Sequence, residues 1–162
     1  MYKGKNVVLI LTDDQGPWAM GCAGNPEIKT PNLDRMAREG RRFENFFCAS
    51  PVCSPARASI LTGQIPSTHG VCDWLRSGSI DREWVEGKGV HNPYGGYKDE
   101  DKPIQYLAGQ RCYTDVLKEN GYQVALSGKW HLGDSLAPQH GFDRWYTIGK
   151  GGAFYFHPDI IE

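Results

Sequence analysis

Residues 7–11 (VVLIL) form an unbroken apolar run that stops at Thr12-Asp13-Asp14-Gln15-Gly16. A run of this length and β-branched content predicts a strand covered on both faces, as in a parallel sheet. In TPNLDRMAREG (30–40), Leu33, Met36 and Ala37 recur at helical spacing. Thr30 suits the cap of that helix, Pro31 its first position and Gly40 its end. Residues 43–47 read as a short strand. In VCSPARASILTG (52–63), Ser54 suits an N-cap, Pro55 the first helical position and Gly63 the left-handed end. Residues 104–121 predict a long helix with Tyr106, Val116 and Leu117 toward the core. Residues 123–127 (QVALS) predict a second buried strand leading into GKWHLG, and a further short strand fits near 145–148. Strands alternating with helices imply an α/β fold, with a mostly parallel central sheet flanked by helices.

Residues 64–103 break this rhythm. They are rich in Gly, Pro, Tyr and charge without a sustained period, which marks a long loop or insertion. Trp74, Trp84, Tyr94 and Tyr97 lie there, suited either to stacking against a sugar or to packing on the domain; Phe154 and Phe156 share that ambiguity. The Asp99-Glu100-Asp101 cluster reads as a solvated loop face.

Composition narrows the classes. The 162 residues are 40% hydrophobic and carry a formal net charge of −1, enough for one compact domain and no signature of nucleic-acid or acidic-membrane binding. No apolar run approaches the roughly 20 residues of a membrane span. No leader is readable at the N-terminus, so the expected compartment is cytoplasmic if that end is native, and periplasmic or secreted if a leader has been removed. The five cysteines (Cys22, Cys48, Cys53, Cys72, Cys112) are odd in number and lack zinc-site spacing, so they read as mostly buried free thiols, with Cys22 and Cys48 in the core. His69 and His140, each before a glycine, read as partners of backbone groups.

Three polar clusters fall near predicted strand or helix ends, where ligands gather in open α/β sheets. Asp13 and Asp14 repel one another unless a cation sits between them, and a hard dication suits paired carboxylates; a turn-capping role is the plainer reading. Cys53 sits where helix N–H groups and the macrodipole favour negative charge, with Arg57 one turn on; an inert packed cysteine is the alternative. Its Cys-x₃-Arg spacing differs from the Cys-x₅-Arg loop of tyrosine phosphatases. Lys129 and His131, two apart in an extended segment, would face one side together, or else are an incidental pair.

NVVLILTDDQG, CSPARASILTG and GKWHLG, in that order, together with PNLDRMAREG and HGFDRW, resemble the motifs of the type I sulfatases of the alkaline phosphatase-like superfamily. Cys53-x-Pro55-x-Arg57 matches the Cys-x-Pro-x-Arg motif read by the formylglycine-generating enzyme. The resemblance implies that Cys53 is converted to formylglycine, by that enzyme or by an anaerobic sulfatase-maturating enzyme. One hydroxyl of the hydrate would attack the sulfur of a sulfate ester and the other would help eliminate sulfate. It further implies that Asp13, Asp14 and the modified Cys53 hold Ca²⁺ or Mg²⁺. Arg57 and Lys129 would meet the sulfuryl charge, and His131 would bond the hydrate and move protons. The expected substrate is a sulfated small molecule or carbohydrate. Two other readings stand beside it: a phosphonate or phosphate monoester hydrolase of the same superfamily, and a catalytically silent ligand-binding module. Family members run to several hundred residues and place further ligands downstream. Residues 1–162 are therefore expected to be the N-terminal part of one catalytic domain, with little activity alone and an exposed strand edge.

Overall fold

Strands β1 (Ala125–Lys129) and β2 (Arg144–Ile148) run parallel, pairing Ala125 with Arg144 through Lys129 with Ile148; a short β3 (Ile160–Ile161) joins β2 antiparallel. The sheet order is β1-β2-β3. This computed structural model describes residues 4–80, 102–152, 156 and 158–162. The aromatic residues Trp84, Tyr94, Tyr97 and Phe154, the acidic run 99–101 and most of the expected insertion lie outside the described residues. Among the described residues there are four α-helices: α1 (Pro31–Glu39), α2 (Cys53–Thr62), α3 (Pro66–His69) and α4 (Tyr113–Glu119). The result is a mixed α/β fold with a small, mainly parallel sheet. No helix among the described residues is long and apolar enough to cross a membrane.

The chain divides into two compact units, Gly4–Phe47 and Cys48–Glu162. In Cys48–Glu162 the core is made by Ala58 and Leu61 of α2, Val71, Leu107, Cys112, Trp130, Leu132, Trp145 of β2 and Ile161 of β3. β2 alternates as a half-covered strand should, with Trp145 and Thr147 buried and Arg144 and Tyr146 exposed. β1 departs from expectation. It begins two residues later than the QVALS run suggests, only Leu126 and Lys129 are half-buried, and it forms one edge of the sheet. An edge strand has a neighbour on one side only, so it does not reach the double coverage its composition advertises.

The predicted helix over 104–121 is confined to α4. Residues 105–110 make separate turns instead, Ala108 N–H to Gln105 O and Gln110 N–H to Leu107 O, and Gly109 adopts φ +79°. α4 starts where Cys112 and Asp115 cap each other's backbone: the Asp115 carboxylate accepts from Cys112 N–H at 2.8 Å, and the thiol accepts in return. Tyr106 does pack on the core, Leu117 is half-buried and Val116 is exposed. The HGFDRW turn locks α4 to the sheet. His140 Nδ1 meets the Asp115 carboxylate at 3.2 Å, and Asp143 receives Val124 N–H at 2.9 Å while pairing with Lys118. These bonds, chiefly the one from Lys118, hold the Asp143 carboxyl below its usual range. Burial, reinforced by the Asp115 charge, pushes the Cys112 thiol up to about 12, so it stays protonated and capping.

Helix α3 is tied to α2 through His69. Its Nδ1 accepts Val71 N–H at 3.2 Å, which places the proton on Nε2 and directs it to Ser59 Oγ at 3.0 Å. Desolvation lowers the His69 pKa, so the folded state favours the neutral ring. The sign follows: above about pH 6.5 both folded and unfolded His69 are neutral and the stability is complete. Below that value the unfolded chain takes up a proton that the folded chain resists. Urea midpoints measured from pH 7 down to 5 are therefore expected to fall, with the fall shallower in His69→Gln; an unchanged slope would assign the acid sensitivity elsewhere.

In Gly4–Phe47, two expected strands are absent. Residues 7–11 enter no ladder and are exposed, Val8 to 82%, and residues 43–47 likewise, Phe46 to 84%. Apolar runs encode that a segment wants cover; they do not supply the partner strands that provide it. α1 forms where its caps placed it, starting at Pro31 after Thr30 and ending at Gly40, yet Leu33 and Met36 of its stripe are exposed. Thr30 Oγ1 accepts Gly21 N–H and donates to Asp34, and Asp34 accepts Cys22 N–H. A cleft of about 660 Å³ lies over this corner, lined by Cys22, Thr30, Asp34, Arg38 and Arg42 among others; none of the predicted site residues lines it. The thiols also differ from expectation: only Cys112 is buried, Cys22 and Cys53 are half-buried, and Cys48 and Cys72 are exposed. Cys48 and Cys72 sit on irregular backbone outside the core cluster, which explains their access to water.

Candidate active site

Helix α2 begins at Cys53 itself, with Val52 as N-cap, so Ser54 and Pro55 occupy the second and third helical positions. Proline is accepted there because N–H groups of the first turn have no intrahelical acceptor to lose. Ser54 is buried, and its hydroxyl is used in a tertiary bond: Oγ accepts Leu75 N–H at 3.2 Å. Gly63 closes the helix at φ +70°, as the sequence indicates. Cys53 and Arg57 stand four residues apart, one turn over the other on one helix face.

Arg57 reaches across to the sheet. Its Nη1 donates to the carbonyl oxygen of Lys129, the last residue of β1, at 2.7 Å. The guanidinium is thereby anchored on one side, with Lys129 half-buried beside it. Two residues on, His131 is 1% exposed and takes φ +56°, a left-handed conformation that costs a non-glycine residue about 1 kcal/mol or more. That turn removes the alternation by which Lys129 and His131 were expected to project together from an extended segment. The His131 ring instead turns onto Leu75, with Nε2 2.9 Å from its carbonyl oxygen. A carbonyl only accepts, so Nε2 carries the proton and Nδ1 is the acceptor of the neutral ring. Gly151 backs the same ring: a Cβ built there would lie 2.0 Å from His131 Nε2.

Leu75 is thus a clasp. Its N–H binds the residue next to Cys53 and its carbonyl binds His131, while Arg57 joins α2 to Lys129. Cys53, Arg57, Lys129 and His131 all belong to Cys48–Glu162 and are linked by these bonds. Leu75 and Gly151 escaped sequence reasoning because their contributions are a backbone group and a missing side chain, neither of which has a residue-type signature. Trp130, between Lys129 and His131, points into the core, with ring centroids 5.2 Å from Trp145 and 6.1 Å from Phe142. GKWHLG and HGFDRW therefore meet in one aromatic cluster, and Thr147 Oγ1 accepts Trp130 N–H at 3.2 Å to fix the junction.

Asp13 and Asp14 lie in Gly4–Phe47, at an exposed bend where Asp14 takes φ +59°, a conformation aspartate tolerates better than most residues. Their donors suit a hard dication in kind and supply two of the about 6–8 oxygens that Ca²⁺ takes. Among the described residues, Cys112, Asp115 and His140 also bring three ligand types together. Their polar atoms are already engaged in capping α4.

The chain matches known proteins along most of its length. The sulfatase family profile covers residues 5–160. The chain is 38% identical over 149 residues to human N-acetylgalactosamine-6-sulfatase, covering 87% of this chain and 25% of that protein. It is 34% identical over 152 residues to human steryl-sulfatase, covering 88% and 23%. A protein solved in complex with its substrate, D-glucosamine-2-N,6-O-disulfate, superposes with a TM-score of 0.61 at 29% identity, over 91% of this chain and 24% of that one. The mixed α/β architecture and the solved relatives define the class: the alkaline phosphatase-like fold. Within that class, the chain belongs to the sulfatase family. It spans about a quarter of the length of the relatives it matches. Membership implies a metal and a formylglycine in general terms.

Proposed function

We propose that residues 1–162 form the N-terminal part of one sulfatase catalytic domain, which hydrolyses a sulfate ester, most simply on a carbohydrate. The observation that carries this reading is the bond from Arg57 to the Lys129 carbonyl, which joins the helix opened by Cys53 to the end of β1. Converted to formylglycine, Cys53 would supply the covalent nucleophile for attack at sulfur. A hard dication, Ca²⁺ or Mg²⁺, held by Asp13, Asp14 and the modified position 53, would supply charge neutralisation.

The other contributions come from the chain. Arg57, held by the Lys129 carbonyl, would bring its positive charge to the sulfuryl oxygens, and Lys129 would add a second. Charge that develops during displacement would then meet a guanidinium already held by the fold. His131, its Nε2–H directed at the Leu75 carbonyl, would be the residue that moves protons at the site. The sulfated sugar named with the solved relative, and the amino-sugar sulfatase among the curated relatives, favour a sulfated carbohydrate.

Two measurements test the reading. After co-expression with the formylglycine-generating enzyme or an anaerobic sulfatase-maturating enzyme, mass spectrometry of the peptide spanning Cys53 is expected to show the thiol sulfur replaced by an aldehyde oxygen; a persistent thiol overturns the mechanism. Matched aryl sulfate and aryl phosphonate esters, assayed with the full-length enzyme, are expected to favour sulfate, and a preference for phosphonate transfers the chain to the phosphorus branch.

A further inference from the structure

Trp74 is the described aromatic residue whose exposure has a neighbour of chemical consequence. Its indole is 51% exposed, while one edge stands against the His131 ring at a centroid distance of 5.6 Å and an angle of 76°. The backbone beneath it is held on both sides. Trp74 N–H donates to Asp73 Oδ1 at 2.7 Å, and the adjoining Leu75 is the clasp between Ser54 and His131. A large flat ring is thus kept rigid and half in water, one residue from the groups that would surround the reacting sulfate. The exposed part of the indole is apolar surface that a stacked ligand would remove from water. Asp73 and Arg76 lie next to and two residues from Trp74 in the chain and are exposed, an acceptor and a donor close to the ring in sequence.

We infer that Trp74 is a substrate-binding platform that stacks on the C–H face of the sulfated pyranose, with Asp73 and Arg76 placed for its hydroxyl or acylamino groups. This rests on the sulfatase reading and adds to it the chemical class of the group carrying the sulfate. A rigid aromatic with polar neighbours in the chain suits a ring that is apolar on its face and hydrogen-bonding at its edge. A steryl group is apolar at its edge as well and would leave Asp73 and Arg76 without partners.

The test uses the full-length, matured enzyme with three substrates: a 6-sulfated N-acetylhexosamine, a small alkyl sulfate and a steryl sulfate. For Trp74→Ala, KM for the sugar sulfate is expected to rise about 10-fold, a larger change than in kcat, and about 10-fold more than the change for the alkyl sulfate. Trp74→Phe, which keeps a stacking face, is expected to recover most of the loss. Equal losses on the sugar and alkyl sulfates, or no rise in the sugar KM, overturn the platform and leave the sulfatase reading intact. A KM effect greater for the steryl sulfate than for the sugar overturns the pyranose assignment. A wild-type enzyme that hydrolyses none of the three overturns the sulfatase reading and the platform together.

Discussion

Cys53→Ala is expected to lower sulfate-ester turnover by at least about 10³-fold while leaving the fold in place. Both halves of that outcome follow from position. Cys53 opens α2 and is half-buried, and alanine is accepted in a first helical turn, so the change removes a side chain without opening a large void. Neither the Ser54 to Leu75 bond nor the Arg57 to Lys129 bond passes through the Cys53 side chain, so the clasp persists. What disappears is the thiol group whose proposed conversion to an aldehyde would make the nucleophile. Activity is read on an aryl sulfate with the full-length, matured enzyme, and the thermal midpoint is read beside it. Retained turnover would show that position 53 is not the nucleophile, whereas parallel loss of fold and activity would show that the side chain is structural.

The largest expected effect on stability is at Gly133. This residue follows Leu132 at the end of GKWHLG, takes φ +92° and bridges to Gln105. A Cβ there would lie 1.8 Å from the Ile104 carbonyl oxygen and 2.7 Å from the Tyr106 ring, distances that force backbone to move. The same carbonyl accepts Asp134 N–H at 2.8 Å, so the displacement also breaks that bond. Gly133→Ala is expected to cost at least about 3 kcal/mol. The loss is read as a fall in Tm of the full-length enzyme beside the wild type. Gly70→Ala is the control. Gly70 takes φ +82° with nothing within 4 Å of the notional Cβ, so only the conformational cost of about 1 kcal/mol applies. Similar losses at both positions would mean that close packing at Gly133 contributes nothing beyond its dihedral angle.

Local rules were legible in the sequence wherever a residue's role is satisfied by its near neighbours. Pro31 and Gly40 bounded α1, Gly63 ended α2, and the 145–148 run became β2. The candidate residues Cys53, Arg57, Lys129 and His131 were selected by residue type and by resemblance to sulfatase motifs, signals that name residues without fixing where their side chains lie. Where a role depends on distant partners, the reading failed. Residues 7–11 and 43–47 carry strand composition but no ladder, because composition states a demand for cover and not its fulfilment. The helix expected over 104–121 gave way at Gly109 and at the Cys112–Asp115 cap, where local bonding outcompetes helical periodicity. His131 was expected to follow the two-residue alternation of a strand, and its left-handed backbone re-aims it at Leu75.

The Arg57 to Lys129 bond spans 72 residues of sequence. On a ribosome adding about 5–20 residues per second, some 4–14 s separate emergence of the guanidinium from emergence of its acceptor. During that delay the beginning of α2 has no tether to the sheet, and its cysteine is open to any enzyme that must grip an extended stretch of chain. The proposed chemical maturation of that side chain would then have a clock, set by where in the polypeptide the acceptor was placed.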